Sequence, residues 1–363
     1  MSNGNIIGRR IREAREYCKL STKDLAERIT SNYEKISKQT ISHYENGYVS
    51  PPPGRLVEIS TILNFPIQYF TKAWASADEH TPAQFRKHSA ATKKSRSEAE
   101  LNAEWVLRIV SILQRYHEFK PAQIPQIGIT PSIDDYPKIE DISVNIRNNW
   151  GLGNARIENL VQLLEEKGVI IVEIPIHGDL EAFSFWSNGR PFIFTNSDGE
   201  KGFYRTRFSI AHELGHLVMH KNIDPEILDN AESHKIVEKQ AHKFAAAFLM
   251  PKSTFGQEIT RFDEQYWLTL KQRWGVSFSA IMMRATDLGI FTEAQKTNYF
   301  KNHNIRQEPL DDETRREAVD LLPRVIQELD TSGKLKTSAL LDEVGLNEEI
   351  VRKIFSSFIF KYS

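Results

Sequence analysis

Phe208-Ser209-Ile210-Ala211-His212-Glu213-Leu214-Gly215-His216 decides the character of this chain. Its apolar positions, continued by Leu217 and Val218, surround a helix almost completely, which predicts a buried helix. His212 and His216 are four residues apart, about 6 Å along one face of that helix, and can grip one cation. Imidazole nitrogen suits zinc, and Glu213 sits beside the pair, where it can act as general base on an attacking water. Without a metal, two histidines and a glutamate on a buried helix would need hydrogen-bonding partners of their own.

A catalytic zinc site takes three protein ligands and keeps one position open. The next helix, predicted from about Lys235 to Leu249, holds the candidates. Glu238 shares a face with Ala241 and Ala245, so its carboxylate points toward the core and needs a partner there. His242, four residues on, is the alternative third ligand. His220 lies about 12 Å along the first helix from His212, too far to share the ion. His234 is expected to precede the second helix.

Upstream, the apolar period changes from helical to alternating. Val169 to Ile174 is a β-branched run between Gly168 and Pro175, hence a strand. Ala182–Trp186 and Pro191–Thr195 are two more, joined by the hairpin turn Asn188-Gly189. Helices are predicted over 98–119, 138–150 and 154–167, and helical spacing resumes from Phe203 onward. The middle of the chain is therefore a small sheet with helices before and after it.

The segment from Arg205 to His220 and the block from Glu238 to Pro251 (Glu238-Lys239-Gln240-Ala241-His242-Lys243-Phe244-Ala245-Ala246-Ala247-Phe248-Leu249-Met250-Pro251) closely resemble the ImmA/IrrE family of zinc metallopeptidases. The resemblance extends from about Phe85 to Pro309 and includes Asn188–Phe194, Leu270–Ser277 and Arg284–Gly289. It implies Zn2+ held by His212, His216 and Glu238, with Glu213 as the base. His242 departs from the pattern, because many relatives carry Asn there. Tyr204, His242 and Arg205 are candidates for stabilising the oxyanion. The last two matching pieces predict a small helix-turn-helix-like unit turning at Gly275-Val276-Ser277.

At the front of the chain, Ile7, Ile11 and Ala14 sit at helical spacing, with Arg9, Arg10, Arg12 and Arg15 off that face. Ser21 can cap a second helix containing Leu25, Ala26 and Ile29. A third spans Ser37 to Glu45, a fourth carries Leu56, Ile59, Ile62 and Leu63, and Pro66 to Phe70 makes a short fifth. Leu25-Ala26-Glu27 and Thr40-Ile41-Ser42-His43-Tyr44-Glu45-Asn46-Gly47 resemble the Cro/repressor-type (XRE) helix-turn-helix. That implies a reader of double-stranded DNA, with Lys38, Gln39, Thr40, Ser42 and His43 as contacts and Gln39 suited to adenine. The turn Thr30 to Ile36 is longer than this motif usually carries.

Composition is that of an ordinary soluble globular chain. Apolar residues are 40% and charged residues 26% of 363, which excludes a disordered, collagen-like or disulfide-built chain. No apolar run is long enough to span a membrane, the N-terminus lacks a secretory signal, and the single Cys18 suits a reducing cytoplasm. Net charge is −1, yet residues 1–75 hold 11 Lys or Arg against 7 Asp or Glu. That basic front end favours an anionic partner.

The expected fold class is α+β, mostly α. Residues 1–75 form a five-helix DNA-binding domain, 76–130 a linker and connecting helix, and 131–262 a zincin-like metallopeptidase domain. Residues 263–305 form the helix-turn-helix-like unit, and 306–363 a helical cap or dimerisation element. An XRE domain fused to an ImmA/IrrE domain implies a cytoplasmic regulator that binds an operator, as a homodimer on two-fold sites. Its relatives cleave helix-turn-helix repressors, so a transcription factor is the implied protein substrate, with the chain's own linker near 76–97 as a second target. The alternative is a DNA-binding regulator whose second domain binds metal as a silent sensor or scaffold; an intact Glu213 argues against it.

Overall fold

The structure, a computed structural model, describes residues 3–29, 36–72, 93–176, 180–197, 202–261, 263–302, 308–311 and 313–355. These fall into two compact units, one built from residues up to 72, 93–118 and 322–355, the other from residues 119–321.

The first unit begins with α1 (Asn3–Tyr17), α2 (Thr22–Arg28), α3 (Lys38–Glu45), α4 (Pro53–Leu63) and α5 (Ile67–Thr71). Ser21 opens α2 with a capping box: its Oγ accepts from Asp24 N at 3.1 Å, and Asp24 Oδ2 accepts from Ser21 N at 2.7 Å. Ser37 caps α3 in the same manner, accepting from Thr40 N at 3.1 Å. Ile11, Ala14, Leu25, Ile41 and Ile59 are buried between these helices.

Gly8 lets α1 approach α3, since a Cβ there would run into the backbone carbonyl of Tyr44. The arginines of α1 differ from expectation, because Arg10 and Arg15 are buried. Arg15 forks onto Glu45 at 2.5 and 3.0 Å, tying α1 to α3, while Arg10 pairs with Glu13 at 3.0 Å and lies over the Tyr69 ring. Burial is tolerated because each guanidinium keeps an acidic partner. The long turn expected at Thr30 to Ile36 lies, up to residue 35, outside the described residues. So does the linker from 76 to 92.

α6 (Lys93–Leu113) starts earlier and stops earlier than the pattern predicted. Its Trp105 is fully buried against Tyr17, Phe65 and Tyr69.

The second unit holds the sheet. After α7 (Tyr136–Asn149) comes α8 (Leu160–Glu166), shorter than predicted because Asn159 caps it, accepting from Gln162 N at 2.9 Å. The strands β1 (Ile170–Ile174), β2 (Ala182–Ser187) and β3 (Arg190–Asn196) lie in the order β1-β3-β2. β1 runs parallel to β3 with Val172 opposite Phe194, and β2 runs antiparallel with Phe183 opposite Phe194. Asn188 and Gly189 turn the hairpin, both at positive φ, 47° and 75°. Alternation sends Phe183, Phe185, Phe192 and Phe194 to one face as a stack of rings. Ser184 and Trp186 point the other way, onto α9 (Phe203–Met219).

α9 packs on β2, on β3 and above all on α11 (Ala231–Leu249), which follows the short α10 (Pro225–Leu228). Gly215 brings α9 and α11 close, since a Cβ there would sit 3.0 Å from the Phe244 ring and 3.3 Å from Ala241 Cα. α12 (Lys252–Glu258), α13 (Glu264–Trp274), α14 (Phe278–Asp287) and α15 (Glu293–Asn302) complete this unit. Gly275 turns α13 into α14 at φ 65°. α14 is largely buried, and its Arg284 forks onto Glu140 of α7 at 2.7 and 2.8 Å.

α16 (Leu321–Thr331), α17 (Thr337–Val344) and α18 (Glu348–Ile354) belong with the first unit. Leu322, Val325, Ile326, Leu329, Leu340, Val344 and Leu346 are buried, while Leu321 and Leu341 are half-buried. The chain is thus α+β and mostly α, as its pattern indicated.

Candidate functional site

On α9, one helical turn separates His212 from His216, and their Nε2 atoms meet at 3.0 Å. α11 crosses opposite them with Glu238. Its carboxylate spans the pair, Oε2 at 3.3 Å from His212 Nε2 and Oε1 at 3.5 Å from His216 Nε2. Two imidazole nitrogens and a carboxylate oxygen thus converge from two helices, the donor set that suits zinc.

Glu213 also has a carboxylate oxygen near the two histidines, within 4.8 Å. It is drawn back, however, by Ser184 of β2, whose Oγ donates to Glu213 Oε2 at 2.7 Å. Both carboxylates could serve as a third donor, Glu238 from α11 and Glu213 from α9 itself. His212 and Glu213 are 9% and 7% exposed.

The electrostatics match a place built for a cation. Burial opposes charge on His212, yet the Glu238 hydrogen bond, Glu213 and Glu181 outweigh it and pull the ring toward imidazolium. Glu238 is held below the ordinary carboxylate range: burial works against its charge, but His212, His234 and His242 overcome it. Burial pushes the Glu213 carboxyl up to about 7, against the pull of His212 and of the Ser184 hydrogen bond.

His234 lies inside α11 rather than before it, with Nε2 4.0 Å from Glu238 Oε1. The helix starts early because Asn230 caps it, accepting from Glu232 N at 2.9 Å and Ser233 N at 3.1 Å. His242 places its ring 4.4 Å from that of His212 and stacks on Phe208, in the wall beside the donor set. Burial, with His212 adding, holds it down at about 4.

These groups line a cleft of about 840 Å³, with β2 residues Ala182 to Trp186 along one side. Arg205 and His242 line it too. Tyr204 does not; it is buried, with its hydroxyl 3.1 Å from Thr314 Oγ1. Ser184 and His234 are the site residues that the sequence pattern did not single out. Ser184 carried a faint signal as a hydroxyl in an otherwise aromatic strand.

In the first unit, Lys38, Gln39 and His43 are exposed along α3, while Thr40 and Ser42 are half-buried. Thr40 Oγ1 lies 3.1 Å from Ser37 Oγ, and Ser42 Oγ accepts from Asn46 Nδ2 at 3.2 Å. Ile41 and Tyr44 turn inward, so α3 presents a polar face.

Comparison with known families gives two matches. Residues 11–70 match the helix-turn-helix family, and residues 164–286 match the family described as IrrE N-terminal-like domain, peptidase M78. The chain thus joins an XRE-type DNA-binding domain to an IrrE/ImmA-like peptidase-family domain. No curated protein matches the chain. Among the described residues, no helix is long and apolar enough to cross a membrane.

Proposed function

We propose that the chain is a cytoplasmic transcriptional regulator that binds an operator through α3 and carries a zinc-dependent endopeptidase acting on a repressor-type protein. The observation that carries the peptidase half is the convergence of His212 Nε2, His216 Nε2 and the Glu238 carboxylate, with Glu213 held beside them by Ser184. His212, His216 and Glu238 would hold the zinc. When bound, zinc supplies a Lewis acid for the scissile carbonyl and lowers the pKa of the attacking water.

Glu213 takes a proton from that water and returns it to the departing amine as the C–N bond breaks. Ser184 orients the base by donating to Oε2, which leaves Oε1 for the water. A substrate in extended form fits along β2, the strand at the edge of the sheet, adding one more strand beside the cleft. His242 and Arg205, both lining the cleft, are the remaining candidates for the oxyanion.

For the DNA half, Lys38, Gln39 and His43 make the outward contacts, with Thr40 and Ser42 as shorter-reach donors. A homodimer would place two such helices on a two-fold operator.

Metal content of the purified chain tests the site. About one zinc per chain, sharply reduced in both His212→Ala and Glu238→Ala, supports it. No zinc at neutral pH would leave a DNA-binding regulator with a silent second domain. Loss in His212→Ala alone would move the third ligand to His242.

A further inference from the structure

Behind the donor set, a chain of buried hydrogen bonds runs from His216 to the backbone. Gln240, fully buried on α11, has one terminal amide atom 2.8 Å from Thr130 O and 3.1 Å from Ser132 O. Carbonyl oxygens only accept, so that atom is the amide nitrogen. The amide oxygen is thereby aimed at His220 Nε2, 3.1 Å away. An oxygen without hydrogen accepts, so His220 carries its hydrogen on Nε2. A neutral ring protonated there has its lone pair on Nδ1. That Nδ1 lies 2.9 Å from His216 Nδ1, which must then be the donor. His216 is left with a bare Nε2, the atom beside His212 and Glu238.

We propose that Gln240 and His220 are positioning residues that fix which nitrogen of His216 bears the hydrogen, presenting its Nε2 lone pair to the metal before metal arrives. This rests on the metal-site reading given above. Two backbone carbonyls start the sequence of donors and acceptors, and each link sets the donor and acceptor of the next. His220 is 2% exposed, so bulk water offers little competing partner. His212 has no such support: its Nδ1 is buried without a hydrogen bond among the described residues. The two histidine ligands are therefore unequal: His216 is preset through its Nδ1, whereas His212 is held only at Nε2, by Glu238 at 3.3 Å and His216 at 3.0 Å.

The test uses the full chain with 15N-labelled histidine. Long-range proton–nitrogen correlation spectra of the metal-free protein should show His216 protonated on Nδ1 and His220 on Nε2. Hydrogen on His216 Nε2, or on His220 Nδ1, overturns the proposal. Zinc affinity by chelator competition gives the second readout. His220→Leu removes the acceptor and should weaken zinc by about 10–100-fold. His220→Asn, whose side-chain oxygen can stand near the ring Nδ1 position, should recover most of that loss. Equal affinity in His220→Leu and wild type sinks the positioning role and leaves the metal site standing. Absence of zinc binding by the wild type instead sinks the metal-site reading, and the spectra still decide the tautomers. Should His220→Leu fail to fold, the spectra and the Asn variant decide between the outcomes.

Discussion

Lys38, Gln39 and His43 stand exposed on α3, whereas His212 and Glu213 on α9 are almost wholly buried. Both helices carry polar side chains for a purpose, yet burial changes what those side chains reveal. A buried imidazole or carboxylate must be satisfied, so its neighbours are constrained and the chemistry can be worked out atom by atom. Around Glu238 that constraint extends to His212 and His216, to His234 and, through His212, to His242. An exposed Gln39 is satisfied by water in any orientation, so its neighbours say little about which base it would meet. The His/Glu cluster is defined from within, and the DNA-binding face only by what surrounds it.

The sharpest way to break this contrast is Glu213→Gln. Cleavage of a repressor-type substrate should fall about 10²–10⁴-fold, while zinc content and operator affinity stay at wild-type levels. A matching fall in operator binding, measured by titration of labelled DNA, would mean the two halves are not functionally separable.

Next come the two glycines that let helices touch, one in each unit. Gly8→Ala drives a methyl into the Tyr44 carbonyl, and Gly215→Ala drives one against Phe244 and Ala241. Each should destabilise its unit by about 1–3 kcal/mol, read from chemical denaturation. Gly215→Ala should also weaken zinc, because it pushes away the helix that carries Glu238. Gly8→Ala should lower operator affinity and leave zinc unchanged. Crossed effects would erase the division.

On the exposed face, Gln39→Ala should cost about 1–3 kcal/mol on the operator and relax specificity at one base position. Lys38→Ala should weaken all sequences alike and lower the salt slope by about 1. Binding isotherms over a range of salt distinguish the two. The smallest effect is expected from Ser184→Ala, about 1 kcal/mol in cleavage rate through loss of one hydrogen bond to Glu213, with zinc binding retained.

What could be read without coordinates was local. His212 and His216 share a face because they are four apart, Asn188-Gly189 makes a hairpin because both residues tolerate positive φ, and Ser21 and Ser37 start helices because their hydroxyls meet backbone amides nearby. The strands and the helix carrying His212 and His216 followed from period and from the residues that bound them. Helix ends were less legible: Asn159 and Asn230 moved two starts, because a cap is a competition between neighbouring polar residues that periodicity does not register.

Only the tertiary structure could place Glu238 and His242, the two candidates for a third ligand, and His234, which lies in α11 with them. The crossing of α11 over α9, allowed by Gly215, put Glu238 against both imidazoles and the others beside it. It also decided that Arg10 and Arg15 are buried, that β1 lies parallel to β3, that Ser184 reaches Glu213 from β2, and that Gln240 reaches His220 across the helix pair. Spacing along one helix sets direction. Which side chains meet across two helices and a sheet depends on how closely their backbones approach, and in this protein glycine contacts and buried hydrogen bonds set that distance.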